Sequence, residues 1–393
     1  MLFQSSDVHF TASALYPYLI GLIRHRIQNR EPITLHQLLF ETSKFGITEE
    51  KDRIYAFLGL LQRRENGQVH IDDYGIRPDY KKPARDVFIE ATKAIIVNDK
   101  TLDICGRSGD PALNSASNSK NLPSWVPDLG EQKEHIFMSD PGVCPRFRAS
   151  RDLSPSVSWP FDERQDVMQS SVYTVGKVSH VATQKHSSIS GLRECLLEWS
   201  RLASRIGQYY QGGDPTMNAF YETCTAVRTA IPTDLTPDDL LVGFLLEFSA
   251  SIVMAAQEND ERPTENPLAA QIMSACLEQT EANAEFVNST DSKVEAAINV
   301  AKQTMLATTS KRKFFVTDKG YMGLGPLWMK AGDEVVVLPG ARVPFLVRRA
   351  PSPVSLDLGD SCYRMIGECF VHGIMDGEAC TNDETPGHHI YLY

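Results

Sequence analysis

The chain lacks the short signatures that mark most enzyme classes. Its 393 residues contain no GxxxxGK[ST] phosphate loop, no GxGxxG after a strand, no HExxH and no GxSxG. They contain no CxxC either. The eight cysteines, at 105, 144, 195, 224, 276, 362, 369 and 380, are mostly far apart. A chain this long and this poor in cysteine reads as a cytosolic protein with reduced thiols, not a disulfide scaffold. Cys362, Cys369, Cys380, His388 and His389 crowd the C-terminus, but their spacing matches no usual zinc finger. Buried thiols are expected there, with no metal and no cofactor. The first residues, MLFQSSDVHFTAS, have no basic stretch followed by an apolar core, so no signal peptide is expected. The most apolar run, Leu240 to Ala256, is shorter than a membrane span and contains Glu247, which suggests a buried helix. No solenoid repeat or coiled-coil heptad appears.

Charge of one sign is scarce only in one place. The whole chain carries 39 basic and 50 acidic residues, a net charge of −11. From Asp214 to Thr308 there are 15 acidic and 4 basic residues, also −11, so the remainder is neutral. A neutral body with one acidic segment is not a nucleic-acid binder, which needs clustered Lys and Arg to meet phosphates. The acidic segment reads as a solvated helical surface. Lys311, Arg312, Lys313 and Lys319 form a small basic edge beside it.

Periodicity sets out an α+β chain. The expected parts are a helical stretch over 1–62, a mixed α/β segment over 63–190, an acidic helical block over 191–308 and a β-rich domain over 309–393. Thr48, followed by Glu49 and Glu50, suits the start of a helix whose Ile54, Phe57, Leu58 and Leu61 make one apolar stripe. Arg63-Glu-Asn-Gly67 then breaks the pattern. Pro83 opens a second helix with Val87, Ala91 and Ile95 at helical spacing. Thr236-Pro-Asp-Asp239 is a strong helix start, and Ser292 with Glu295 has capping-box spacing. The last 85 residues alternate strand-like runs (FFVT, YMGLG, EVVVL, VPFLVRR, YRMIGECFVHGIM) with turn signals. They predict a small antiparallel, barrel-like sheet.

Few residues read as chemistry. Gly320, Gly323 and Gly325 suggest a phosphate loop but lead into Pro326 and another strand, as hairpin glycines do. Asp52 and Arg53 either cap a helix and pair locally, or face a nucleotide or partner. Trp125, between Pro123 and Pro127, reads as an anchor for an extended segment, with Asp128 as a cap or acceptor. His372 and Asp376 stand four apart and lack a third group, while Asp376-Gly377 reads as a turn. These residues assemble no nameable catalytic set.

Three phrases carry a resemblance. DRIYAFLGL at Asp52 to Leu60 is similar to a phrase of fungal heterokaryon-incompatibility (HET) proteins, with Asp52, Arg53, Tyr55 and Gly59 at matching positions. Arg77-Pro-Asp79-Tyr80 resembles the family's next step. LPSWVPDL matches a following phrase through Pro123, Trp125, Pro127 and Asp128, with Leu129 replacing an aromatic. Residues 312–379 resemble the C-terminal region of long members through Gly320, Gly323, Gly325, Gly367, Glu368, His372, Asp376 and Gly377. The family's opening "ALSYxWG" and "WIDxxCINQ" blocks are not in the chain, so a partial, truncated HET domain remnant is expected. The resemblance implies a role in fungal non-self recognition, innate immunity and programmed cell death, in the cytoplasm. A HET-type or NLR-type protein partner is implied, with no membrane span. Two alternatives follow from the same likeness: a regulatory or binding module without effector activity, or a TIR-like NAD-cleaving enzyme.

Overall fold

Helices form here where apolar residues recur every three or four positions, and strands where β-branched and aromatic residues crowd between turn residues. A computed structural model describes residues 12–393 except 30, 32, 66–67, 72–73, 110–120, 131–137, 140–146, 161–165, 184–188, 227–233, 259–264, 283–290, 352–360 and 381–387. In chain order it contains α1 (Ala12–Gln28), α2 (Leu35–Glu41), α3 (Asp52–Leu58), β1 (Gln62–Glu65), β2 (Gln68–Ile71) and α4 (Ala84–Asn98). A 3-10 turn (Asp103–Arg107), β3 (Val157–Ser158), β4 (Met168–Val181), α5 (Ile189–Ser204), α6 (Thr216–Cys224), α7 (Pro237–Glu258), α8 (Pro267–Ala282) and α9 (Asp291–Thr309) follow. The chain ends in β5 (Arg312–Thr317), β6 (Met322–Pro326), β7 (Glu334–Val337), β8 (Phe345–Arg349), β9 (Cys362–Glu368), β10 (Phe370–Val371) and β11 (His388–Leu392). The fold is α+β, and among the described residues no helix is long and apolar enough to cross a membrane.

The chain divides into two compact units. One holds Val175–Val335 and Cys369–Met375. Its helices α5 to α9 enclose an aromatic core in which Phe220 meets Phe248 at 5.4 Å and Phe314 at 5.7 Å, while Trp199 stacks on Phe314. Each such ring, taken fully out of water, contributes roughly 2–3 kcal/mol. Thr236 and Asp239 cap α7 reciprocally: the Asp239 amide donates to Thr236 Oγ1, and the Thr236 amide donates to Asp239 Oδ2. Glu247, inside the apolar run, is buried because Lys302 of α9 sits 3.3 Å from its carboxylate. An unpaired charge there would be untenable. Gly243 lets α7 and α9 touch backbone to backbone; a Cβ there would lie 2.6 Å from the Ala297 carbonyl. In this unit β10, β6, β5 and the end of β4 form an antiparallel sheet in that order.

The other unit holds the chain up to Thr174, together with Val336–Glu368 and Asp376–Tyr393. The start of β4, with β3 on its flank, is followed by β11, β9 and β8. Helix α4 buries Val87, Phe88, Ile89, Ala91 and Ile95.

Four local expectations differ from what is observed. Thr48 caps nothing: residues 49–53 form turn bonds (Asp52 amide to Glu49 carbonyl, Arg53 amide to Glu50 carbonyl), so α3 starts at Asp52. Arg63 and Glu65, expected in a break after a helix, lie in β1, paired antiparallel with His70 and Gln68 of β2. Arg312 is not on an exposed edge. It is buried, and its guanidinium donates to the Thr308 carbonyl at the end of α9. The terminal sheet is not purely antiparallel, because β11 lies parallel to β9. A strand that arrives after a long connection is free to enter in that direction. The Gly/Ser/Asn stretch at 110–120 and part of the acidic loop at 259–264 lie outside the described residues.

β10 crosses β6 at Gly323, where a Cβ would stand 2.1 Å from the Phe370 carbonyl oxygen and 2.7 Å from the Phe315 ring. Gly323→Ala is therefore expected to cost about 2–4 kcal/mol through overpacking against backbone. Urea unfolding of the purified chain checks this; an unchanged midpoint would refute the close approach.

Candidate functional site

Two of the recognised phrases fold onto each other. Tyr80 Oη donates to Asp52 Oδ1 at 2.5 Å, Tyr55 Oη donates to the Asp79 carbonyl at 3.1 Å, and the two rings meet edge to face at 5.3 Å. Lys51 closes the clasp by donating to the carbonyls of Tyr80 and Lys82. The hydrogen bond to Asp52 is the main reason the Tyr80 phenol is held above its usual range. Asp79 itself caps a turn, accepting from the Lys81 amide. Arg53 points the other way, into the core. It is buried and donates to the carbonyls of Thr42 and Phe45, each at 2.8 Å. Burial, then the charge of Arg107, lowers its pKa. Gly59 ends α3 with ordinary helical angles, and nothing in the structure explains a glycine there.

The third phrase is an anchor. Trp125 is fully buried, and its Nε1 donates to the Asp166 carbonyl at 2.9 Å. Pro123 and Pro127 flank it and are buried. Asp128 Oδ1 accepts from the Gly130 amide, closing a tight turn. Ser124 Oγ accepts from the Met365 amide of β9. On β9, Glu368 is a buried carboxylate that accepts from the amides of Met138 and Ser139. Gly367, at φ +135°, stands one residue before it in a strand whose pairing with β8 shifts register. Gly377 has φ +94°, and a Cβ there would strike the Arg151 side chain, whose Nε donates to the Gly377 carbonyl. Asp376 donates its amide to Glu378.

In the helical unit, Gly320 turns β5 into β6 at φ +80°, and Gly325 pairs with Lys313. The His372 carbonyl accepts from Tyr210 Oη, which in turn accepts from the Met322 amide. Burial drives the Tyr210 phenol well above its usual range.

A polar concavity lies elsewhere, on residues that no motif singles out. It has a volume of about 450 Å³ and is lined by His36 of α2, the end of α4 (Asp99, Lys100), Asp103, residues 150–154 and residues 340–342. Asp103 is 1% exposed, and both its oxygens are taken by Arg342, one by the backbone amide at 2.8 Å and the other by Nε at 2.7 Å. Asp99 accepts from Tyr74 Oη and from the His36 amide. His36 is 3% exposed, and its Nε2 has no hydrogen-bond partner among the described residues. Burial, followed by the charges of Arg107 and Arg342, pushes its pKa down to about 3, so the ring is neutral. Lys100 and Arg151 stand in the cavity wall with left-handed backbones, at φ +53° and +54°. That conformation costs a non-glycine residue roughly 1–2 kcal/mol. Lone residues give no sequence signal, although a lysine just past a helix end, where glycine is favoured, was a weak clue. Among the described residues no group of three His, Cys, Asp or Glu side chains converges as for a metal ion.

A family model described as the Het-6 beta-barrel domain matches residues 257–392. Heterokaryon incompatibility protein 6, OR allele, of Neurospora crassa is 24% identical over 408 residues, an alignment covering 93% of this chain and 55% of that protein. No solved structure matches the chain. The two findings agree: the C-terminal third of the chain is similar to the Het-6 β-barrel domain, and most of its length is similar to a heterokaryon incompatibility protein. The chain spans about half the length of the curated relative it matches.

Two outcomes follow. Arg53→Met removes the guanidinium's two bonds to the Thr42 and Phe45 carbonyls, one of them fully buried, and is expected to cost about 1–3 kcal/mol. Tyr80→Phe, at an exposed bond, should shift the thermal midpoint far less; equal effects would refute the ranking. The second concerns His36. Above pH 6.5 the folded and unfolded chains both hold it neutral, so it adds no pH dependence. Below 6.5 the unfolded chain binds a proton that the folded chain refuses until about pH 3, so stability falls with pH across that window. From pH 6.5 to 5 the loss is about 2 kcal/mol. Denaturant titrations of wild type and His36→Gln should show a shallower acid decline in the variant, and parallel curves would overturn this.

Proposed function

We propose that this chain acts in fungal non-self recognition, with regulated cell death as its output. The single observation that carries this reading is its similarity, over nearly its whole length, to a heterokaryon incompatibility protein. The clasp between Asp52 and Tyr80 and the anchor at Trp125 support it, because the phrases that carry the resemblance fold into mutually bonded structure. Action is placed in the cytoplasm, through a protein partner of HET or NLR type, as an innate-immune allorecognition factor. The test is inducible expression in a filamentous fungus with protein levels followed by immunoblot. Growth arrest on induction is expected. Normal growth at high confirmed protein levels would remove the autonomous killing role and favour a regulatory binding module.

A further inference from the structure

We propose that the cavity beside His36 binds a small organic oxyanion, a phosphate ester or a polycarboxylate, through Lys100 and Arg342. All its lining residues belong to one unit of the fold, so the site is complete within it. A volume of about 450 Å³ falls in the range of small-ligand sites and exceeds what one or two waters fill.

The wall holds carboxylates and cations, and the two signs are not equally available. Asp103 spends both oxygens on Arg342, and Asp99 spends both on Tyr74 and the His36 amide. The third carboxylate of the wall, Asp152, is bound through Oδ2 by Arg148, so each acid is already engaged within the fold. Two of the wall's cations keep donors to offer: Arg342 uses Nε and its backbone amide on Asp103, which leaves the two terminal guanidinium nitrogens, and it is one-third exposed. Lys100 makes no ion pair among the described residues. What the cavity has to offer a ligand is thus positive charge and N–H donors, which oxyanions accept.

Two further observations point to a ligand. His36 is a polar side chain all but removed from water, with an unpartnered Nε2, in the wall of a cavity. Buried polar atoms are almost always satisfied, so an unpartnered one on a residue of the cavity wall stands out. Lys100 and Arg151 are two of only four non-glycine residues with positive φ among the described residues, and both line this cavity. Strained backbone persists where surrounding structure over-determines it, and such positions cluster at ligand sites. Gly377 is open enough to accommodate the Arg151 stem, so the motif glycine near the C-terminus indirectly supports this wall.

The experiment is calorimetric titration of the full chain with three probes: inorganic phosphate, phenyl phosphate and citrate. Saturable binding of at least one, with Kd about 1 mM or tighter, is expected. Binding of the phosphates alone identifies a phosphate ester as the ligand, and binding of citrate alone a polycarboxylate. Lys100→Gly removes the ammonium and relieves the left-handed strain, so this variant should fold with an unchanged or slightly higher thermal midpoint while binding at least about fivefold more weakly. Arg342→Gln retains the backbone bond to Asp103 and should weaken binding by a similar factor. No binding of any probe by the folded wild type overturns the proposal, as does binding that neither substitution weakens.

Discussion

One buried ion pair organises the second unit. Asp103 cannot lie within the protein as a free anion, since desolvating a carboxylate costs several kcal/mol. Arg342 answers both of its oxygens from 239 residues away in sequence. With that bond made, the neighbouring backbone is committed: Leu102 donates to the Gly340 carbonyl, Ala149 to the Arg342 carbonyl and Ser150 to the Ala341 carbonyl. Three distant stretches of chain therefore share one short segment. The cavity is the space left between them and α2, and the charge of Arg342 is one reason that His36 remains neutral.

The recognised phrases have a different logic. DRIYAFLGL and the Asp79-Tyr80 step bond to each other through two tyrosines and a lysine, while Arg53 ties down the turn before its own helix. Trp125 and Glu368 each satisfy backbone that would otherwise be buried unpaired. The wording of these phrases encodes mutual hydrogen bonding, at an exposed clasp for Tyr80 and at buried groups for Arg53, Trp125 and Glu368. Such groups tolerate little change because a lost partner exposes the full desolvation cost of the other. A polar cavity asks for less: it needs a few donors in the right place, and these come from single residues scattered over 300 positions.

Much of the architecture was legible because it rests on local chemistry. The Thr236 cap, the apolar stripe of α4, the glycine turns at Gly320 and Gly377 and the C-terminal strands β5 to β10 all follow from spacing of a few residues, whereas β11 (His388–Leu392) was missed. Arg312 misled because a charge beside other charges suggests an exposed edge, and only the end of α9 supplies the carbonyl that lets it be buried.

By itself the sequence determined the element types, the helices of the acidic segment and the phrases that carry the likeness to heterokaryon-incompatibility proteins, since each depends on side chains within one or two turns of one another. Tertiary structure alone decided that Asp103 meets Arg342, that β11 runs parallel to β9 and that His36 joins the wall of a cavity holding Lys100 and Arg342. Those outcomes depend on contacts between residues tens to hundreds of positions apart, where local propensity is silent and the cost of unpaired buried charge selects the partner.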